Sequence, residues 1–240
     1  MEFEGQRAKL YTNLEWANSP GYIKEILKAG QFKKLDKVLD VGTGTGIMAK
    51  AISPLVNRVV GIDISEEMLA LSNVNSNVQL ILRDIRDSSL EDCSFDKVVA
   101  RQVFHHIIEN TQKAMDECYR VLKPGGLMVF AEGVPSTWEI KKFYTLIFSK
   151  KEIRLTFMEE DLVRLLKVSG FNDIKTSVIW ERQVSVRNWL TNSALSKRTQ
   201  KEIFDMHLKY KTLCTKAYNM TITENDCLTD IKEAVVVGKK

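Results

Sequence analysis

Three glycines at alternate positions, Gly42, Gly44 and Gly46, follow a short aliphatic run that carries one buried-type acid, Asp40, in "VLDVGTGTG". Glycines in such a turn let a ligand approach the backbone closely. Which ligand is decided by the neighbours. A dinucleotide fingerprint needs G-x-G-x-x-G. Counted from Gly42, its third glycine falls on Ile47, so the pattern fails by one position. No G-K-[ST] follows, so a P-loop is absent as well. Asp40 stands just before the turn, and a carboxylate there suits a cationic amine and repels a pyrophosphate. A second acid, Asp63, ends the next aliphatic run, 17 residues after Gly46. An acid at that position commonly accepts hydrogen bonds from ribose hydroxyls. A ribose and an amine without phosphate describe S-adenosylmethionine.

These residues need elements to hold them. "KVLDV", "RVVGIDI", "VQLIL", "FDKVVA" and "LMVFAE" read as five strands, each bounded by a helical or turn pattern. "TGIMAKAIS" reads as a helix stopped by Pro54, and "SEEMLALSN" as a helix capped by Ser65. Thr111–Leu122 places Ala114, Met115, Cys118, Val121 and Leu122 on one helical face, and "KPGG" is expected to end that helix. Strands alternating with helices predict a doubly wound α/β fold: a seven-stranded, mostly parallel, Rossmann-like sheet with an antiparallel last strand and helical cap insertions. One domain over 1–240 is expected. It divides into N-terminal lid helices (1–34), a cofactor-binding core (35–132), a cap insert with a helix (133–170), and final strands (171–240) holding an inserted helical segment (185–230).

Four ordered signatures, "VLDVGTGTG", "VVGIDIS", "LRDIRD…FDKVVARQVFHHI" and "RVLKPGGLMVFAE", make the chain resemble the class I S-adenosylmethionine-dependent methyltransferases. Within these it resembles the small-molecule type 11 group that includes quinone-biosynthesis C-methyltransferases. The resemblance covers roughly Lys37 to Glu132. It implies that Asp40, Gly42 and Gly44 face the methionine moiety, with Thr43 and Gly46 completing the turn. It implies Asp63 on the ribose, Ile64 and Met68 flanking the adenine, and Asp84 accepting from the adenine amino group beside the Ile85 N–H. Arg101 and Gln102 would lie where the cofactor's ammonium meets strand four. An arginine at 101 departs from the small or polar residue common there. Plainer readings stay open: a simple tight turn for the glycines, an N-cap for Asp63, and Asp87 as a competitor for Asp84.

Methyl transfer from a sulfonium needs alignment and a dry site, and a base only when the nucleophile must lose a proton. His105 and His106, just past strand four, are the base candidates, with His106 favoured on family position. Tyr11, Trp16 and Tyr22 would form a lid, and Trp138, Phe143, Tyr144 and Phe148 an acceptor wall. If Arg101 points into the cleft it can pair with an anionic acceptor, and lysines 141, 142, 150 and 151 can steer it or simply be solvated.

Composition sets the outer bounds. A hydrophobic content of 44% and a net charge of +4 spread along the chain point to a cytoplasmic enzyme with a small-molecule acceptor, no nucleic-acid partner and no membrane span. The four cysteines fit no zinc pattern, and no metal is expected. Oligomeric state is left open, a homodimer among the arrangements. A quinone or polyprenyl-phenol C-methyltransferase is the alternative within enzymes. A catalytically silent adenosylmethionine-binding or regulatory module is the alternative from another class.

Overall fold

The computed structural model describes residues 8–240. The first five long strands are β1 (Lys37–Val41), β2 (Arg58–Asp63), β3 (Val78–Leu82), β4 (Phe95–Arg101) and β5 (Leu122–Gly133). They run parallel in the order β3-β2-β1-β4-β5. The last strand, β8 (Cys227–Lys239), inserts antiparallel between β5 and β6 (Asn172–Ser185), and the two-residue β7 (Thr221–Ile222) pairs with β8. The expected seven-stranded sheet with an antiparallel last strand is therefore present, with β7 as a short eighth member.

Alternation along the strands divides the core between two faces. Leu39, Val41, Val98, Ala100 and Phe130 pack under α4 (Thr111–Val121) and α6 (Glu159–Val168). Val38, Val59, Val99, Val129 and Val235 pack under α1 (Pro20–Gly30) and α2 (Ile47–Ile52). Helix α1 starts on Ser19, whose hydroxyl accepts from the Tyr22 N–H, with proline at the first turn. Tyr22 and Ile26 on it are fully buried. Most of the expected N-terminal lid is thus a sheet-covering helix. Only the stretch before it, a helical turn at 8–11 and a 3₁₀ turn at Trp16–Asn18, lies over the carboxyl edge.

The two expected helix stops are present, each with an added detail. Helix α2 ends at Ile52, and Pro54 sits in the first turn of a 3₁₀ segment, Ser53–Leu55, because proline is tolerated where no N–H is required. Helix α4 ends at Val121, and "KPGG" follows directly after Leu122 as its expected stop. The same residues enter β5, where Gly125 at φ +78° donates its N–H to the Lys240 carbonyl and Gly126 accepts from the Lys240 N–H.

The cap is a third core. Helices α5 (Trp138–Lys151), α7 (Val186–Thr191), α8 (Lys197–Lys209) and α9 (Lys211–Tyr218) bury Ile140, Phe143, Ile147, Leu190, Ile203 and Tyr218 together. The helical stretch expected around 197–213 is two helices broken at Tyr210.

Candidate functional site

The strand order reverses between β1 and β4, so the loops after them splay apart at the sheet's carboxyl edge. Registers Asp40↔Gly61, Val41↔Ala100 and Arg101↔Ala131 align the ends of β1, β2, β4 and β5. Asp40, Asp63, Arg101, Gln102 and Glu132 are thereby brought to one edge. Helix α3 (Glu66–Ala70) follows β2, capped by Ser65 with two acids in its first turn. A cavity of about 410 Å³ opens there, lined by the glycine turn, Asp63, Ile64, Met68, Asp84 and Arg101 among others. A second cavity, of about 160 Å³, lies between the sheet edge and the cap. Tyr11, Gln102 and His106 line both.

The glycine turn is held from below and from the side. Asp40 is 1% exposed and accepts from the Thr43 hydroxyl at 2.7 Å. Burial pushes its carboxyl up to about 7, against the pull of Thr43, the Ala49 N–H and the Arg101 charge. Asp63 accepts from the Gly44 N–H at 2.8 Å and from the Ser65 N–H at 2.9 Å. It braces the turn and starts the next helix at once. The three glycines have φ of +64°, +56° and +81°. Their reasons differ. A Cβ on Gly42 would meet Val103 Cγ2 at 2.2 Å, whereas one on Gly44 would meet only the Gly42 carbonyl at 4.0 Å and otherwise open space. Gly42 is small for packing, and Gly44 leaves room on the cavity side.

This contrast gives a prediction. Gly42→Ala is expected to destabilise the fold by about 2–4 kcal/mol, from left-handed strain plus overpacking. Gly44→Ala carries the strain alone, about 1–2 kcal/mol, and instead weakens ligand binding at the turn. Thermal melts and calorimetric titration of the two variants check it. A Gly44→Ala protein binding like the parent would place the ligand elsewhere.

The adenine-side residues are less simply arranged. Asp84 caps the 3₁₀ turn Ile85–Asp87 by accepting from the Arg86 N–H, and it is held by the Arg86 guanidinium at 2.6 Å. The Arg86 hydrogen bonds keep its carboxyl below the usual range. It faces the cavity already paired, and Asp87 does not line that cavity. Ile64 is 71% exposed and Ile85 is buried.

Arg101 does not present its guanidinium to an anionic acceptor as expected. It donates to the carbonyls of Ala17 at 2.7 Å and Trp16 at 3.3 Å and lies 5.0 Å from the Tyr22 ring centroid. It therefore clamps the segment that covers the site. The lysines are also engaged: Lys141 with Asp161, Lys150 with Glu202, and Lys151 with Glu152. Of the expected aromatic wall, Tyr144 and Phe148 line the second cavity. Phe143 is inside the cap core, and Trp138 is 56% exposed beneath Lys141. Of the expected lid, Tyr11 and Trp16 line cavity surface and Tyr22 is core.

Residues not singled out from sequence complete the second cavity: Trp189, Tyr218 and His207 from the cap helices, and Glu233 from β8. Glu132, near the end of β5, was not singled out either, and it lines neither cavity. It is fully buried, and Oε1 accepts from the N–H groups of Val103, Phe104 and His105 at 3.1, 2.8 and 3.3 Å. Oε2 lies 2.7 Å from His105 Nδ1. His105 Nε2 is in turn 2.9 Å from His106 Nε2. Burial raises the Glu132 carboxyl to about 7, with Arg154 and His106 pulling it back. Its signal in the sequence was an acid closing the apolar run "LMVFAE".

The arrangement fits a cationic amino acid joined to a nucleoside. A buried carboxylate and an unobstructed glycine lie at one end of the larger cavity, and an acid at the tip of β2 lies beside a partly apolar wall. Residues 39–130 match the methyltransferase domain family Methyltransf_11. The chain is 36% identical over 138 residues to demethylmenaquinone methyltransferase of Staphylococcus carnosus, covering 52% of this chain and 55% of that protein. It is 32% identical over 185 residues to the Staphylococcus aureus protein of the same name, covering 63% and 74%. It is also 34% identical to an uncharacterised 37.1 kDa transposon protein of Streptomyces fradiae, of which it spans 47%. Against the first of these relatives the chain thus spans about half their length. Among solved structures, YcgJ of Bacillus subtilis superposes with TM-score 0.80 at 19% identity, covering 92% of this chain and 99% of that one. Haemonchus contortus phosphoethanolamine N-methyltransferase 2 with S-adenosyl-L-methionine superposes with TM-score 0.62 at 20% identity, covering 92% and 53%. The chain belongs to the class I S-adenosylmethionine-dependent methyltransferases, in their type 11 group.

Proposed function

We propose that this chain transfers a methyl group from S-adenosylmethionine to a small aromatic acceptor held under the cap. One observation carries the reading: the two cavities meet at Tyr11, Gln102 and His106. A donor in the larger cavity and an acceptor in the smaller one would face each other there. Asp40 would hold the cofactor's ammonium, the turn from Gly42 to Gly46 its methionine tail, and Asp63 its ribose. Ile64, Met68, Asp84 and the Ile85 N–H would surround the adenine. The cofactor supplies an activated methyl on sulfur. The protein supplies alignment, exclusion of water and, through His106, a place for a proton.

The smaller cavity is walled by Tyr144, Phe148, Trp189 and Tyr218. Its volume of about 160 Å³ suits one or two fused rings. A quinone-type ring is the second reading. It is favoured by this lining and by the two staphylococcal relatives, which carry the name demethylmenaquinone methyltransferase. No helix of the described residues is long and apolar enough to cross a membrane.

The cofactor assignment has a direct test. At 100 times their dissociation constants, adenosylmethionine and adenosylhomocysteine are expected to stabilise the protein by about 2.7 kcal/mol. NAD at the same concentration is expected to leave the melting curve unmoved. Stabilisation by NAD alone would overturn the assignment.

A further inference from the structure

His207 stands in the last turn of α8 and is 1% exposed, yet it is among the residues lining the smaller cavity. Its Nε2 is buried and has no hydrogen-bond partner among the described residues. We propose that His207 Nε2 is a specificity contact of the acceptor pocket, and that the acceptor is an aromatic heterocycle whose ring N–H donates to it. This deepens the methyl-transfer reading above and rests on it.

The other ring nitrogen sets the tautomer. His207 Nδ1 lies 2.9 Å from the carbonyl oxygen of Ile203, one turn back on the same helix. A carbonyl can only accept, so Nδ1 carries the proton. Nε2 of the neutral ring is then a lone pair that can only accept. Burial pushes the pKa of the ring down, opposed among the described residues only by the bond to Ile203, so the ring stays neutral. The rings of Phe143, Tyr144 and Trp189 stand edge-on to it, with centroids at 5.4, 6.3 and 6.3 Å, and hold it in that orientation. Packing accounts for the burial and for the aromatic neighbours. It does not account for an unmet acceptor on a residue of the cavity wall, because buried polar atoms are normally paired.

The surroundings of that nitrogen select the donor. Tyr144, Phe148 and Trp189 line the same cavity, so a flat aromatic body fits the wall. The donor is neutral. An ammonium beside His207 would lose its hydration with no carboxylate among the described groups acting on that ring. A pyrrole-type N–H suits the place better than a hydroxyl. It gives one hydrogen and has no lone pair in need of a donor, whereas a hydroxyl brings acceptor capacity that an apolar corner leaves unmet. His207 lines the smaller cavity and not the larger one. It therefore orients the acceptor and leaves the cofactor to the glycine turn and Asp63.

Indole, benzofuran and 1-methylindole isolate this contact. All are fused two-ring compounds of similar shape, and only indole carries the N–H. Calorimetric titration into the apo protein and into its adenosylhomocysteine complex should give indole a Kd about 10–100-fold below the other two. His207→Phe should bring the three within about threefold of one another, with the adenosylhomocysteine Kd kept within about twofold of the parent. His207→Gln keeps an acceptor oxygen and should restore part of the preference. Nitrogen-15 NMR of the parent should show His207 protonated on Nδ1, with the Nε2 resonance moving upfield when indole binds and unmoved by benzofuran. That measurement needs no variant, so it decides the matter even if His207→Phe does not fold. Equal affinity for the three compounds, or binding of none of them while adenosylhomocysteine binds, overturns the proposal. An indole preference that survives in a folded His207→Phe protein overturns it too, as does a parent ring protonated on Nε2. Failure to bind adenosylmethionine and adenosylhomocysteine sinks the methyl-transfer reading instead, and the indole preference of the apo protein is read independently of it.

Discussion

Asp63→Ala is expected to weaken adenosylmethionine binding by about 100–1000-fold. The carboxylate sits at the tip of β2 and accepts from the N–H groups of Gly44 and Ser65. Charge-assisted bonds of this kind are worth about 1.5–3 kcal/mol each, and 1.4 kcal/mol is a factor of ten in affinity. Removing it frees the turn at Gly44 and deprives the proposed ribose diol of its acceptor. Asn is a partial substitute: its amide oxygen accepts from one backbone donor, but its NH₂ cannot accept from the other. Asp63→Asn should therefore fall between Asp63→Ala and the parent. Isothermal titration gives the affinities, and circular dichroism confirms that the sheet persists. An Asp63→Ala protein that binds within threefold of the parent would remove Asp63 from the site.

The part of this site that could be read from sequence is the part whose geometry is local. Asp40, the glycine turn and Ser65 each lie within a few residues of the strand end or helix start that orients them, so spacing alone predicts which edge they share. Asp63 is one strand away, and the parallel pairing of β1 with β2 follows from the alternating pattern. Type and position did not fix partners that arrive from far along the chain. Arg101 read as a cleft cation, yet its guanidinium meets carbonyls 84 and 85 positions earlier. Glu132 read as the end of a strand, yet it organises the segment after β4, 27 to 29 positions before it. The acceptor wall draws on four cap helices as well as the stretch before α1. Aromatic residues in an amphipathic helix do not reveal which neighbour they will face, so Phe143 went to the core and Phe148 to the cavity. "KPGG" marked the helix end correctly, and what it did not reveal is that the same residues enter β5 beside the C-terminal Lys240.

Buried acids also set how stability should vary with pH. Burial raises Asp40 and Glu132 to about 7 and Glu233 to about 8. Arg101 eases Asp40 and Glu233, and Arg154 eases Glu132. Each folded-state value lies above the unfolded value of about 4. The native state therefore binds more protons than the unfolded chain between about pH 4 and pH 8, and stability falls as pH rises through that window. The apo protein is expected to melt several degrees lower at pH 8.5 than at pH 6, a loss of at least about 2 kcal/mol. Adenosylmethionine should flatten that slope. Its ammonium beside Asp40 would favour the carboxylate, so affinity should rise as Asp40 ionises near pH 7. Asp40→Asn should flatten the apo profile and abolish the pH dependence of binding together. Glu132→Gln should flatten the apo profile and leave the pH dependence of binding in place. Melting curves at half-unit pH steps, with and without cofactor, separate these outcomes. An apo Tm that climbs steadily from pH 6 to pH 8.5 would mean that these carboxylates are already ionised in the folded protein.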